Sequence, residues 1–452
     1  MSLNTYDSAN ITMKMNKTLL SAAVAVGLLS TSTVTQAAGF QLAEYSATGL
    51  GRAYAGEAAI ADGADAQWRN PAMLTYLEGT QVSVGGIYVN PNIDVKGEVN
   101  HAHPAIGTSQ ASSNDFADDA IIPNLYISHR YNEKFAIGLA FGTNYGMETN
   151  LGDDFNASHF GNEASVITKE ANLNFAYQLV EQVSIGGGIR YVMGEGSFGA
   201  TAPAKNAVAL DSNKMPISVP AGTTLKYMEG DDTAWGWQVG TAWQINEDHR
   251  IGFAYKSEVE LKLEGHAEGI GFRMAQGQRA NGYMMLALPA TAELASFHQL
   301  TKALALHASF NWTDWSSFEK LQAELGTSGS HTVKVENWED NYRFALGATY
   351  QIDPKLALRT GIAYDTSAVS DKNRTITIPE TDRTWLSVGA GYQWSEQLSF
   401  DAGFTYIIAK DAPITESRGY ASDDTAEAVG GQFVGTTTGN VWLVGIQANY
   451  RF

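Results

Sequence analysis

The hexapeptide "GEGSFG", Gly194 to Gly199, has the spacing G-x-G-x-x-G with which a glycine-rich turn and a helix N-terminus hold a dinucleotide pyrophosphate. Here the motif leaves a strand-like run and enters a loop with no helix after it, so a dinucleotide site is not expected. His101 and His103 form an H-x-H pair with no third ligand pattern nearby, and loop solvation is expected over zinc. The acidic pairs Asp118-Asp119, Asp153-Asp154, Asp231-Asp232 and Asp423-Asp424 could offer oxygens to calcium; most fall in loops, where solvation is the plainer role. Nothing marks a Ser, a His and an orienting polar residue as a lipase-like triad. These residues give no reason to expect a catalytic step, a cofactor or a metal. The remaining punctuator is Asn70-Pro71-Ala72, where Pro71 fixes its own φ and biases Asn70 away from the helical region.

Composition narrows the setting. The 452 residues carry 48 Asp+Glu against 29 Lys+Arg, a formal charge of -19, which excludes the basic face that a nucleic-acid partner needs. The absence of cysteine excludes disulfides and thiolate metal sites. Lys14 and Lys17 precede the apolar run "LLSAAVAVGLL", and Thr35-Gln36-Ala37 supplies small residues before Ala38. This is the pattern of a secretory signal, too short for the ~20 residues of a membrane-spanning helix. Residues 1–37 are therefore read as an upstream extension plus a cleaved signal peptide, leaving a mature chain that begins Ala38-Gly39-Phe40.

The elements that follow alternate with period two. In "LSFDAGFTY", Leu398, Phe400, Ala402, Phe404 and Tyr406 share one face, while Ser399, Asp401, Gly403 and Thr405 share the other. "LALHASFNW" and "LSVGAGYQW" behave alike, and Trp312, Trp315, Tyr392, Trp394 and Tyr406 gather at strand ends, as in the interfacial girdles of a membrane barrel. The C-terminal "VWLVGIQANYRF" puts Trp442, Val444, Ile446, Ala448, Tyr450 and Phe452 on one face. Tyr450 and the terminal Phe452 resemble the signal by which outer-membrane barrels are handed to their assembly machinery. Strands are expected to begin near Thr80, Ile121, Phe135, Ala164, Val183, Asp232, His249, Asn281, Leu304, Asn337, Lys355, Arg383, Leu398 and Val441, an even count of fourteen. Short turns such as "QIDPK" and "WSEQ" alternate with long loops at roughly 90–120, 196–231 and 408–440. The expected fold is an all-β transmembrane, fourteen-stranded antiparallel outer-membrane barrel over residues 80–452. Residues 38–79 lack the period yet carry Phe40, Leu42, Leu50, Tyr54, Ile60, Trp68, Met73 and Leu74; they are expected to plug the lumen as an N-terminal hatch.

Three segments then become specific. "AGFQLAEYSATGLGRAYAGEAAIADGADAQWRNPAML", "RTGIAYDTSAV" and "NRTITIPETDRTWLSVG" resemble the FadL-type outer-membrane long-chain fatty-acid transporters, and the similarity runs over essentially the whole mature chain. The resemblance implies a hatch-plugged barrel that takes up a hydrophobic ligand passively. External loops capture it, a pocket in the barrel holds it, and it leaves sideways through an inward kink of the third strand. The residues matching that kink are Asn144, Tyr145 and Gly146, and those matching the hatch motif that contacts it are Asn70, Pro71 and Ala72. A fatty acid gains roughly 0.8 kcal/mol per CH₂ buried, so an apolar groove into lipid suits it better than a polar channel.

The resemblance also implies basic pocket residues for a carboxylate, one near the end of the fifth strand and one after the ninth. Here "MGEGSFGATA" contains none, and in "FEKLQAEL" Gln322 stands at the basic position, two residues from Lys320. The pocket is accordingly expected at Phe40, Phe198 and Lys320, with an aromatic hydrocarbon or alkane as the alternative ligand. The implied partners are a long-chain fatty acid or similar hydrophobe, outer-membrane lipid and lipopolysaccharide, and the assembly machinery, for a protein acting as a monomer. An open porin would leave the hatch unexplained.

Overall fold

The computed structural model describes residues 39–101, 107–204, 208–210, 216–326 and 329–452. The signal-peptide reading and His103 lie outside the described residues.

Period-two alternation closes on itself. Fourteen strands pair antiparallel in chain order: β1 (Thr80–Asn100), β2 (Ala120–Arg130), β3 (Phe135–Gly142), β4 (Glu163–Val180), β5 (Val183–Thr201), β6 (Thr224–Asn246) and β7 (His249–Lys256). They continue with β8 (Thr291–Gln299), β9 (Leu304–Thr313), β10 (Asn341–Gln351), β11 (Leu356–Asp365), β12 (Arg383–Gln393), β13 (Leu398–Ala409) and β14 (Gln432–Arg451). β14 returns to β1 in unbroken register from Arg451↔Gln81 to Gln432↔Asn100, so the barrel has no free edge to hydrate. Along β13, Phe400, Phe404 and Tyr406 are exposed, whereas Asp401 and Thr405 are buried toward the lumen. Leu346, Ile446 and Trp235 are each more than 60 % exposed, an outward apolar surface that only lipid would cover. Among the described residues no helix is long and apolar enough to cross a membrane.

Most strand starts agree with the alternation; the start expected near Asn281 falls instead in the Arg279–Leu288 piece above the barrel, with β8 beginning at Thr291, and other starts differ where strands outrun the lipid. β6 begins at Thr224 rather than Asp232, and β14 at Gln432 rather than Val441; β1 and β5 likewise extend to Asn100 and Thr201. The three long loops are correspondingly shorter than expected. Above the lipid the outward face turns polar, as at Lys96 and Glu98, while Val95, Val99 and Phe433 still pack inward, so pairing continues beyond the outward apolar residues that mark a spanning strand. On the same rim the upper half of β6 pairs with Val259–Glu268, and Arg279–Leu288, Lys320–Leu325 and Gly329–Val335 add on in turn, raising one wall above the barrel. These four pieces continue β7 to β10 across interruptions that the sequence pattern did not disclose.

Residues 39–79 fill the lumen. Two single-turn helices, α1 (Ala47–Leu50) and α2 (Ala66–Arg69), and 3₁₀ turns at Glu57–Ala59 and Pro71–Tyr76 are held by short-range caps. Ser46 accepts from the Gly49 amide at 3.3 Å, and Asn70 accepts from the Ala72 amide at 2.9 Å with Pro71 at the first turn position, where its missing N–H costs nothing. Leu42, Leu50, Tyr54 and Trp68 meet Ile87, Tyr126, Trp385 and Leu443 of the wall in one apolar cluster, so much of the core of this protein lies inside its barrel.

Candidate functional site

The wall is incomplete at one place. β2 pairs with β3 only between Leu125 and Arg130, against Ala136 to Phe141. Above that the strand breaks at Thr143–Tyr145, resumes as Gly146–Asn150, and meets the preceding segment again at the isolated Ala117↔Thr149 bridge. No ladder joins residues 120–124 to the bend among the described residues. The backbone groups turned inward find another partner. Leu42 donates its amide to the Asn144 carbonyl at 2.7 Å, Gly146 donates to the Phe40 carbonyl at 2.7 Å, and Gln41 pairs with Tyr145. The N-terminal segment thus substitutes for the missing strand, which is how a buried bend keeps its hydrogen bonds.

Charges fasten the bend. The Asn144 amide donates to Glu170 Oε2 at 2.7 Å, and its oxygen accepts from Lys256 Nζ at 3.0 Å. Glu170 takes a bidentate contact from Arg190 at 2.8 Å for each bond. Lys256 also lies 4.5 Å from the Trp68 ring centroid, and Trp68 packs closely on Gly142, where a Cβ would come within 3.2 Å of the indole. The kink and the hatch therefore share one ammonium.

Asn70, Pro71 and Ala72 lie elsewhere than the resemblance implied. Asn70 Nδ2 donates to the Ala58 and Thr241 carbonyls at 2.6 and 3.0 Å, and Ala72 accepts from Ser184. Gly186 and Gly240 leave room for this motif, since a Cβ at either would overlap Pro71-Ala72 or Asn70. The motif is seated on β5 and β6, while Gln41, Leu42 and Trp68 meet the bend. The capped turn needs close backbone approach, and those two wall glycines supply it.

Above the bend an apolar pocket opens. Phe40, 1 % exposed, stacks edge-on with Trp315 at 4.6 Å and Phe318 at 5.6 Å, and lies 6.2 Å from Tyr145. Met147, Phe198, Leu286, Leu321, Ile378 and Glu336 are among the residues that line it. The apolar cluster is continuous from Tyr145 up to Leu261, Leu263 and Leu325 of the raised wall. Trp315, expected in an interfacial girdle, is fully buried here. "GEGSFG" lies wholly within β5, where Gly194 and Gly196 back onto Leu261 and Leu263. His101 contacts Ser109, and no metal-ligating cluster occurs among the described residues.

Lys320 is not a pocket residue. It is exposed, and its strand neighbour Leu321 takes the inward position, because successive side chains point to opposite faces. The base at the pocket is Lys334, 3 % exposed and 6.0 Å from the Phe198 ring, with Nζ donating to Glu416 at 2.9 Å and to the Phe160 carbonyl at 3.1 Å. Arg418 is paired with Asp423 at 2.7 Å beside it. Asp423 is consequently a buried ion-pair member held below the usual carboxylate range: burial opposes this, and the Arg418 contact outweighs it. That corrects the solvation reading for Asp423, while its neighbour Asp424 is exposed. The signal available in the sequence was "KVE", which puts Lys334 and Glu336 on one strand face beside Trp338; proximity to Gln322 favoured the wrong lysine.

At the opposite rim, Phe452 donates its amide to Thr80, and its ring packs on Tyr450 at 4.8 Å. Both side chains face outward.

Comparisons with known proteins fall on this architecture. Residues 28–452 match the family described as outer membrane protein transport protein (OMPP1/FadL/TodX). The long-chain fatty acid transport protein of Escherichia coli O6:H1 is 33% identical over 95% of this chain and 97% of its own length. Among solved structures, a Pseudomonas aeruginosa FadL homologue superposes with a TM-score of 0.79 at 23% identity, covering 92% of this chain and 100% of that one. The Ralstonia pickettii toluene transporter TbuX gives 0.62 at 18%, covering 90% and 98%. A hatch-filled fourteen-stranded barrel, an apolar pocket and a family match over nearly the whole chain together make this protein a member of the OMPP1/FadL/TodX family, an outer-membrane transporter of hydrophobic compounds and not an enzyme.

Proposed function

We propose that this protein carries long-chain fatty acids passively across the outer membrane and releases them sideways into the bilayer through the gap beside the bent third strand. The observation that carries this reading is the unbroken apolar column from the raised external wall to Tyr145, which ends beside a gap in the ladder rather than at the periplasmic rim. A tail moving along it stays out of water at every step, and direction comes from consumption downstream. Phe40 and Phe198 hold the tail, and Lys334, the base beside Phe198, takes the headgroup. The external wall captures the ligand, and the barrel works as a monomer among lipid and lipopolysaccharide. Asn70, Pro71 and Ala72 secure the hatch from the β5–β6 side, so that its movement is confined to the N-terminal segment and Trp68.

A fatty acid is favoured over a neutral hydrophobe because Lys334 keeps a third N–H beyond those given to Glu416 and Phe160, which a wholly apolar ligand would leave unpaired. The test is uptake of radiolabelled oleate by cells lacking their own transporter and expressing either this chain or the K334M/E416Q double variant, which removes both charges of the buried pair. A charge-assisted hydrogen bond contributes about 1.5–3 kcal/mol, so oleate uptake should fall roughly 10- to 100-fold while uptake of a neutral alkane is retained. Equal loss of both, or loss of neither, would remove Lys334 from headgroup recognition; transport of alkane alone by the unaltered chain would move the ligand to neutral hydrophobes.

A further inference from the structure

One pocket-lining group is polar, ionisable and unused by that reading. Glu336 is 1 % exposed, directly follows the Gly329–Val335 strand, and shares the cavity wall with Phe40, Phe198 and Leu321. Trp338 donates its indole N–H to Glu336 Oε2 at 3.1 Å. The cations around it are already paired: Lys334 with Glu416, and Arg418 with Asp423. Lys226 reaches the same strand at the Val333 carbonyl, at 3.5 Å. With these two pairs neutral and Lys226 turned to a backbone carbonyl, an ionised Glu336 would be, among the described residues, the one charge lining the cavity itself and would repel an anionic headgroup. A protonated Glu336 would leave the cavity neutral and offer an O–H. Lys334 has three N–H donors and spends two, on Phe160 and Glu416, leaving one for a ligand.

We propose that Glu336 stands in this pocket as a carboxylic acid and reads the ligand's headgroup by sharing its proton with a carboxylate, while Lys334 donates its third N–H to the same group. The proposal rests on the fatty-acid reading and specifies its ligand as a monocarboxylate bound in its ionised form. Two carboxyl groups held side by side retain one proton between them in a short O–H···O⁻ bond, so neither anion is left bare in the apolar cavity. Burial raises the Glu336 carboxyl to about 7, against the opposing pull of Arg418 and Lys334 and with a further push from Glu416. The acid form is thus present at neutral pH and lost just above it. Trp338 donates to Oε2, so the proton belongs on Oε1.

The experiment uses the purified, folded barrel in detergent, with quenching of tryptophan emission by dibromostearate and by the corresponding dibrominated alcohol, at pH 6 to 9. Trp315 and Trp338 flank the pocket and report occupancy. In the unaltered protein, affinity for the acid should weaken about tenfold per pH unit above 7, while affinity for the alcohol stays constant. E336Q keeps a donor without a titration, so it should bind the acid equally well at pH 6 and pH 9; E336D should restore the slope. Heat-modifiable migration on gels verifies that each variant is folded. The same pH slope in E336Q and the unaltered protein would assign it to the ligand and overturn the proposal, as would no slope in the unaltered protein. Binding of the alcohol with no binding of the acid at any pH would instead overturn the fatty-acid reading itself.

Discussion

A disulfide can decide whether the N-terminal segment must leave the bend for a ligand to pass. Gln41 and Tyr145 are a non-hydrogen-bonded antiparallel pair, because their neighbours make the two bonds Leu42 to Asn144 and Gly146 to Phe40. Cα atoms at such positions are about 4.5 Å apart, inside the range a disulfide accepts. The chain has no cysteine of its own, so Q41C/Y145C would form one defined bridge. The strength of the native closure follows from the contacts. Two buried backbone hydrogen bonds contribute about 0.5–1.5 kcal/mol each, and a fully buried Phe40 about 1.5–3 kcal/mol. The sum, about 3–6 kcal/mol, makes spontaneous opening roughly a one-in-10² to one-in-10⁴ event, rare yet reversible. The bridge removes that event. Oleate uptake by cells carrying the oxidised variant should fall to background and return with reductant in the same cells, so that loss of the Tyr145 hydroxyl contact with Pro289 is common to both arms. Full oxidation with undiminished uptake would refute the reasoning: the ligand would then pass with Phe40 to Leu42 in place.

Three further outcomes are expected. Asn70→Ala removes a turn cap and leaves the Ala58 and Thr241 carbonyls without their Asn70 donor, a loss of about 2–4 kcal/mol that should speed hydrogen exchange across the hatch while the barrel remains heat-modifiable. Removing Phe452 should lower the amount of assembled barrel recovered from outer membranes while the strand register of the molecules that do assemble is unchanged; normal levels would show that the terminal aromatic does not guide assembly. In the hatch, burial raises Glu44 to about 7 and Asp65 to about 6, the latter against a hydrogen bond from Ser46. Carboxyls raised above their unfolded values stabilise docking fully at pH below about 4 and lose that contribution as pH climbs to 7, so the protection of hatch amides relative to the base-catalysed intrinsic rate should be lower at pH 8 than at pH 5, and E44Q should reduce that difference.

What the sequence by itself determined is the barrel. Lipid on one side and a packed lumen on the other force side chains of opposite character to alternate, and that pattern in β13 or β14 is legible without any tertiary contact. It set the strand count, most strand starts, the direction of the apolar face and the exclusion of residues 38–79 from the wall. The bend was half legible: the glycines around Gly142 and Gly146 marked a disturbed strand, but nothing local said that Phe40 to Leu42 would fill it. Only the tertiary structure decided which groups meet in the lumen. Lys320 and Lys334 are equally basic in sequence, and the pleat of one strand sends the first outward while the register of the next sends the second beneath Phe198. Trp315 reads as a girdle residue until a 3₁₀ turn carries it inward. The partner of Lys334, Glu416, lies more than eighty residues away and arrives by closure of the barrel. Local pattern is set by the two media that a strand separates; a site is set by which strands the closure brings together, and no single segment contains that information.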